Sequence, residues 1–297
     1  MTHYLGLDLG GTMIKAIVLD ADAGTWQALE SRATVRSTAP DTVAGLIDFA
    51  LDLVRAHPEV RGIGLTVPGH FDDLGRTLVI PNVPGDWVGQ EVKRPVAAAT
   101  GLEVTMINDA RAFGLAEARL GAARGASMAI GVALGTGIGG VVVKDGNVIM
   151  GRQGRAGEIG HQVLVTEGES CGCGNHGCLE TLARSDVVAA KAGQPSMREA
   201  AAAARAGDER ALAAIEEAAY WIGIGLGNVA TVLDPEVIFI GGGIAQAGDL
   251  LFEPVRRTIA ERAPLIPVGE YQVVAAALGP DAGAIGAALA ASIAAGR

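Results

Sequence analysis

Between residues 158 and 180 the chain gathers two carboxylates and four soft metal ligands: Glu158, His161, Cys171, Cys173, Cys178 and Glu180. All three cysteines of the protein lie in that stretch. One His, a Cys-Gly-Cys and a further Cys supply the donor set of a closed Cys3His zinc site, and Gly172, Gly174 and Gly177 let the chain turn between them. Three reduced cysteines in a Gly-rich loop, or one disulfide with a leftover thiol, would be the alternative. Four protein ligands leave no open position for water or substrate, so the metal would be structural and the chemistry would belong to groups it positions. Glu158 and Glu180 are the candidates.

A second constellation opens the chain. Leu7-Asp8-Leu9-Gly10-Gly11-Thr12 puts a carboxylate at the end of a buried strand, followed by glycines whose N–H groups can approach an anion. Asp8 could hold Mg²⁺, and Gly10, Gly11, Thr12 and Lys15 could address phosphate oxygens. An ordinary Gly-Gly hairpin with an Asp on its rim would look the same. Gly135-Thr136-Gly137-Ile138-Gly139-Gly140 formally matches G-x-G-x-x-G, but Val141-Val142-Val143 continues as a strand where a dinucleotide fingerprint must open a helix. A second phosphate-contacting turn fits better. Gly241, Gly242 and Gly243 form a third turn, past which a flat base could slide. Asn108-Asp109 ends a strand and begins a helix, so Asp109 could accept a hydroxyl proton as general base, or either residue could simply cap the helix.

These groups need elements to hold them. Tyr4 to Leu9 and Ile14 to Leu19 read as a strand-turn-strand hairpin, with a third strand within Trp26 to Val35. Asp41 caps an amphipathic helix that Pro58 stops. Strands at Gly62 to Val67 and Glu103 to Ile107, with a helix through Val96 between them, complete a first α/β lobe over residues 1–108, to which the C-terminal helix, 282–297, is added. The second lobe, 109–281, repeats strand, Gly-Thr turn and strand at Ser127 to Lys144, with a hairpin at Asp145-Gly146-Asn147. Helices from Asp186 to Leu233, a strand at Val237 to Ile240 and a helix from Ala247 to Glu261 follow. This weak internal repeat points to two related lobes.

Composition bounds the function. The 297 residues fit two domains of ordinary size, and a formal charge of -10 with Lys only at 15, 93, 144 and 191 argues against nucleic acid or anionic membrane as partner. No charged n-region with an apolar core opens the chain, and no segment is long and apolar enough to span a bilayer. The expected location is the cytoplasm, where reduced, metal-binding cysteines belong.

In this order the motifs resemble the ROK family of sugar kinases and related repressors: Asp8-Leu-Gly-Gly-Thr12, Asn108-Asp109-Ala110 with Glu117, Leu134-Gly-Thr-Gly-Ile-Gly-Gly140, Gly157-Glu158-Ile-Gly-His161, Cys171-Gly-Cys173 through Cys178-Leu-Glu180, and Gly241-Gly-Gly243. The resemblance implies an α/β, two-lobed actin-like ATPase or ribonuclease H-like fold with an interdomain cleft. It implies ATP-dependent phosphorylation of a hexose, with structural zinc and Mg-ATP as cofactors and Asp109 as the catalytic base. Gly69, Asn82, Asn108, Glu158, His161 and Glu180 are then sugar contacts, His161 serving zinc as well. Glucose at O6 is the expected substrate, in carbohydrate metabolism at the start of glycolysis; N-acetylmannosamine, N-acetylglucosamine or fructose are rivals. Polyphosphate competes with ATP as donor, and the family suggests a homodimer or homotetramer. Two departures stand out: Met13 follows the first Gly-Gly-Thr turn where glucokinase-like members often carry Lys, and Arg111 replaces the second Asn of Asn-Asp-Ala-Asn. A non-catalytic sugar sensor or repressor is the reading from another class, disfavoured by Asp8 and Asp109 and by the start of the first phosphate strand at Tyr4.

Overall fold

The computed structural model describes residues 2–72, 74–80 and 83–296, and its first element is strand β1, His3–Leu9. β2, Met13–Asp20, folds back antiparallel on it, with Asp8 opposite Lys15. The expected third strand is two short ones, β3 at Thr25–Ala28 and β4 at Arg32–Ala33, both laid against β2. Helix α1, Ala39–Ala56, starts earlier than predicted: Thr38, not Asp41, is the cap, its hydroxyl accepting the Asp41 N–H at 3.2 Å. Pro40 accounts for the shift, since its missing N–H costs nothing in a first helical turn. β5, Val60–Val67, then runs parallel to β1.

A small hairpin, β6 at His70–Phe71 with β7 at Thr77–Val79, and helix α2, Lys93–Thr100, separate β5 from β8, Val104–Asn108. The sheet order is β3-β2-β1-β5-β8, with β4 also on β2. Helix α3, Asp109–Leu120, follows directly. The unit is closed by the C-terminal helix, Ala282–Ala294, which lies so near the sheet that a Cβ on Gly64 would fall 1.8 Å from the Ala287 carbonyl oxygen. The same helix meets α3, where a Cβ on Gly286 would strike Ala112 at 1.9 Å. That packing moves the expected boundary from residue 108: the first unit runs to Leu120 and takes in the chain from Pro280 on, and the second is Gly121–Gly279.

The second unit repeats the plan. β9, Met128–Leu134, pairs antiparallel with β10, Ile138–Lys144, and a tight turn with positive φ at Asp145 and Gly146 leads to β11, Asn147–Val148. Helices α4, Leu179–Ala183, α5, Ser185–Ala192, α6, Met197–Arg205, and α7, Glu209–Leu233, precede β12, Val237–Gly242. Helix α8, Asp249–Arg262, and edge strand β13, Gln272–Ala275, complete it. The order β11-β10-β9-β12-β13 matches that of the first sheet, with two antiparallel and two parallel pairings in the same sequence. Each unit has its own core, built on Leu5, Leu7, Leu46 and Ile63 in the first and on Ile130, Ile222, Phe252 and Ile259 in the second. Among the described residues no helix is long and apolar enough to cross a membrane.

Candidate functional site

In the first unit the sheet itself assembles the surroundings of Asp8. Residues directly opposite on neighbouring strands share a face, and Asp8 lies opposite Lys15 on β2 and Thr66 on β5. The buried Thr66 hydroxyl donates to Asp8 Oδ1. The face is completed by the first turn of the C-terminal helix, where a Cβ on Gly283 would lie 2.7 Å from Asp8 Oδ2. Burial pushes the Asp8 carboxyl above the usual carboxylate range; the Thr66 hydrogen bond and Lys15 pull it back, and the nearby Asp281 adds to the rise. A divalent cation would reverse that balance, because hard oxygen donors of one sign are what Mg²⁺ takes. Lys15 is anchored, its Nζ donating to the Pro280 carbonyl at 2.8 Å.

The β1–β2 turn is tied down from the side. Gly10 N–H donates to the Met13 carbonyl at 3.1 Å, while Thr34 donates its hydroxyl to Gly10 and its N–H to Thr12. Thr12 is exposed and Gly11 partly so, which leaves the turn open to a ligand.

At the same C-terminal end of the parallel strands, two strands across from Asp8, lie Asn108 and Asp109. Asn108 is buried at the C-terminus of β8 and Asp109 is exposed as the first residue of α3. An acidic residue there sits at the positive end of the helix, a favourable place for a carboxylate at a helix start. Asn108 Oδ1 accepts the Ala110 N–H at 3.0 Å, so it does cap the helix, while its Nδ2 donates to the Gly69 carbonyl at 2.9 Å. Gly69, with φ of +82°, is thus brought onto Asn108. Asn82 lies outside the described residues.

In the second unit the stretch around Glu158 packs on β10. A Cβ on Gly160 would stand 2.1 Å from the Ile138 carbonyl oxygen, so the Gly-Glu-Ile-Gly-His run can lie on the strand only with glycine there. His161 ends a 3-10 turn, Ile159–His161, and meets the cysteines: its Nδ1 is 3.5 Å from Cys171 Sγ, and Cys173 Sγ is 3.7 Å from Cys178 Sγ. One ligand atom from each of the four lies within 4.8 Å of all the others. Two sulfurs of a tetrahedral zinc with bonds near 2.3 Å are about 3.8 Å apart, so the spacing fits that ion. Burial pushes the Cys178 thiol up to about 12, helped by hydrogen bonds and charge from its two neighbours, and burial raises Cys171 too. Burial opposes ionisation of Cys173 as well, but hydrogen bonds from the Asn175 N–H and the other thiols bring it below the usual thiol range. Metal binding releases protons from such a cluster.

The two carboxylates flank the cluster unequally. Glu158 Oε2 is 4.0 Å from His161 Nε2. Glu180, in the first turn of α4, reaches the β9–β10 turn, its Oε2 accepting the Ile138 N–H at 2.7 Å. A Cβ on Gly137 would lie 2.7 Å from that oxygen. Gly135 closes the turn by donating to Gly137 at 2.9 Å and accepting from Ser185 N–H at 2.8 Å, with Thr136 at its exposed tip. The Rossmann alternative fails here, since β10 follows where a helix would have to start. The third glycine run differs from expectation. Gly241 and Gly242 continue β12, opposite Ala133 and Leu134, and only Gly243 leads into a 3-10 turn, Ile244–Ala247. The strand extends because Gly242, at φ of +90°, sits directly against the Leu134 backbone.

Reading from residues alone missed Thr66, Asp281 and the hydrogen bond between Glu180 and Ile138. Thr66 lies one residue before the end of a buried strand with no local mark of its partner, and Asp281, just ahead of the C-terminal helix, carries none either.

Two α/β units of one sheet topology, each with a Gly-Thr hairpin turn on its first strand pair, define the two-lobed actin-like ATPase fold. Within it the chain belongs to the ROK family, which it matches over residues 4–293. It is 34% identical to a glucokinase of Thermotoga maritima, covering 96% of this chain and 95% of that protein. It is 31% identical to an N-acetyl-D-glucosamine kinase of Escherichia coli, with 94% and 96% covered. The crystal structure of a ROK family glucokinase from Streptomyces griseus, in complex with glucose and AMPPNP, superposes with a TM-score of 0.84 at 32% identity over 98% of this chain and 99% of that one.

Proposed function

We propose that this protein is a hexose kinase transferring the γ-phosphoryl group of Mg-ATP to a sugar hydroxyl, with glucose phosphorylated at O6 as its main reaction. The observation that carries the reading is the pair Asn108-Asp109, a buried, oriented amide beside an exposed carboxylate at a helix start, in a chain of the ROK family. Asp109 accepts the hydroxyl proton as the nucleophile attacks. Gly69, Asn82, Asn108, Glu158, His161 and Glu180 are the proposed contacts of the sugar hydroxyls. Asp8 would hold magnesium, which when bound would supply positive charge against that developing on the transferred group. Gly10, Gly11, Thr12 and Lys15, with Gly135, Thr136 and Gly137, address the phosphates, and Gly241, Gly242 and Gly243 the base. His161, Cys171, Cys173 and Cys178 hold a structural zinc that keeps Glu158 and Glu180 on a rigid loop.

Glucose is favoured by the likeness to the Thermotoga maritima and Streptomyces griseus glucokinases. N-acetylglucosamine is the second reading, on the likeness to the Escherichia coli kinase. An ATP-dependent assay across glucose, N-acetylglucosamine, N-acetylmannosamine and fructose tests both. The expected result is the highest kcat/KM with glucose; turnover of no sugar overturns the kinase assignment, and a preference for an N-acetyl sugar overturns glucose.

A further inference from the structure

Behind Asn108 the structure places a charged side chain that the sequence marks as unusual. Arg111 is 1% exposed, and its Nη1 donates to Asn108 Oδ1 at 3.1 Å. That oxygen has two other donors, and both are weakened. The Ala110 N–H, 3.0 Å away, also lies 2.9 Å from Asp109 Oδ1 and is shared with it; the Arg111 N–H stands off at 3.3 Å. The guanidinium is the one charged donor of the three, and charge-assisted hydrogen bonds are the stronger kind. Asn108 Nδ2 already gives one hydrogen to the Gly69 carbonyl. An amide has two donor hydrogens and one acceptor oxygen. Among the described residues, with its oxygen engaged by three donors and one hydrogen spent, Asn108 has a single hydrogen left to offer.

We infer that Arg111 is a positioning residue for substrate recognition: it fixes the Asn108 amide so that Asn108 meets the sugar only as a donor. The inference rests on the proposed role of Asn108 as a sugar contact. Two consequences follow from the geometry. Asn108 recognises a sugar oxygen as an acceptor, so replacing that hydroxyl by fluorine keeps part of the contact and removing it loses all of it. The guanidinium also polarises the amide it binds, which strengthens the remaining N–H donor. It further leaves more of the Ala110 N–H to Asp109.

The test is steady-state kinetics of Arg111→Met and Arg111→Lys with the accepted hexose and with its deoxy and deoxyfluoro analogues at each ring position. Arg111→Met is expected to raise the hexose KM about tenfold, the scale of a lost charge-assisted hydrogen bond, while kcat changes less. Lys, a point charge without the planar fork, recovers part of it. The Met penalty vanishes with one deoxy analogue, the one lacking the oxygen that faces Asn108. A merely structural role would lower the thermal midpoint and the active fraction and leave KM alone. If the Met variant does not fold, Arg111→Lys and Arg111→Asn carry the same comparison. A hexose KM indifferent to Arg111, or a penalty equal for every analogue, overturns the inference. Absence of turnover by the unmodified chain with every hexose instead removes the kinase reading, and this inference with it.

Discussion

The two units use one sheet for different ends. β1 and β9 have the same length and the same alternation of buried and half-buried positions, and both end in Leu before a Gly-rich turn. In that frame Asp8 of the first unit corresponds to Ala133 of the second. The first unit therefore grows its carboxylate from the strand, where Thr66 and Lys15 stand beside it by sheet register alone. The second has no acid on the strand and imports one: Glu180 comes from beyond the cysteine loop and binds the Ile138 N–H at the equivalent turn. A carboxylate held by sheet register needs no added support, whereas one delivered by a Gly-rich loop needs a fixed anchor. In the proposed function the Cys3His cluster is that anchor.

The largest expected effect lies outside this contrast and sets its scale. Asp109→Asn should lower kcat by roughly 10² or more, the range of general-base loss, with the sugar KM little changed. Turnover near that of the unmodified enzyme would take the proton transfer away from α3.

The contrast itself is tested by metal. Stripping zinc with a chelator, or replacing Cys178 by Ser, should raise the sugar KM about 10- to 100-fold, as loss of groups that support a site commonly does, while the magnesium requirement proposed for Asp8 stays put. Elemental analysis of protein purified without chelator should give one zinc per chain. A zinc-free, fully active enzyme would show that the loop holds Glu180 unaided.

Most of both turns was legible in the sequence, because strands around Gly-Gly-Thr and Gly-Thr-Gly are buried β-branched and leucine runs with a single turn signal between them. The Rossmann alternative could be dismissed on the same grounds, Val141 to Val143 being a strand. The cysteine cluster was readable since all its ligands sit in one loop. What stayed hidden came from packing at long range. Thr66 meets Asp8 across 58 residues and Glu180 meets Ile138 across 42. No local pattern encodes such pairs. The boundary after Leu120 was hidden for the same reason, as it depends on Gly286 letting the C-terminal helix touch α3.

A smaller effect isolates the imported carboxylate. Gly137→Ala places a methyl 2.7 Å from Glu180 Oε2, and forcing atoms into a filled position costs about 1–3 kcal/mol. The turn must open or Glu180 must swing away. Either way the sugar and ATP KM values should both rise, by about tenfold, because one carboxylate serves the loop and the turn. A rise for ATP alone would mean that Glu180 only braces the turn.

The smallest effect belongs to the register-held side. Thr66→Val keeps the shape of a fully buried residue and removes the hydroxyl that donates to Asp8. Thr66 is β-branched like Val, so the strand and its pairing survive. Asp8 then relies on Lys15 and the first turn of the C-terminal helix. Loss of one hydrogen bond to a charged group costs about 1.5–3 kcal/mol, which should appear as a lower thermal midpoint and a higher magnesium requirement, with zinc content and sugar KM unmoved. If Thr66→Val instead raised the sugar KM as strongly as loss of zinc does, the two carboxylates would not be held independently, and the division of labour between strand register and metal loop would fail.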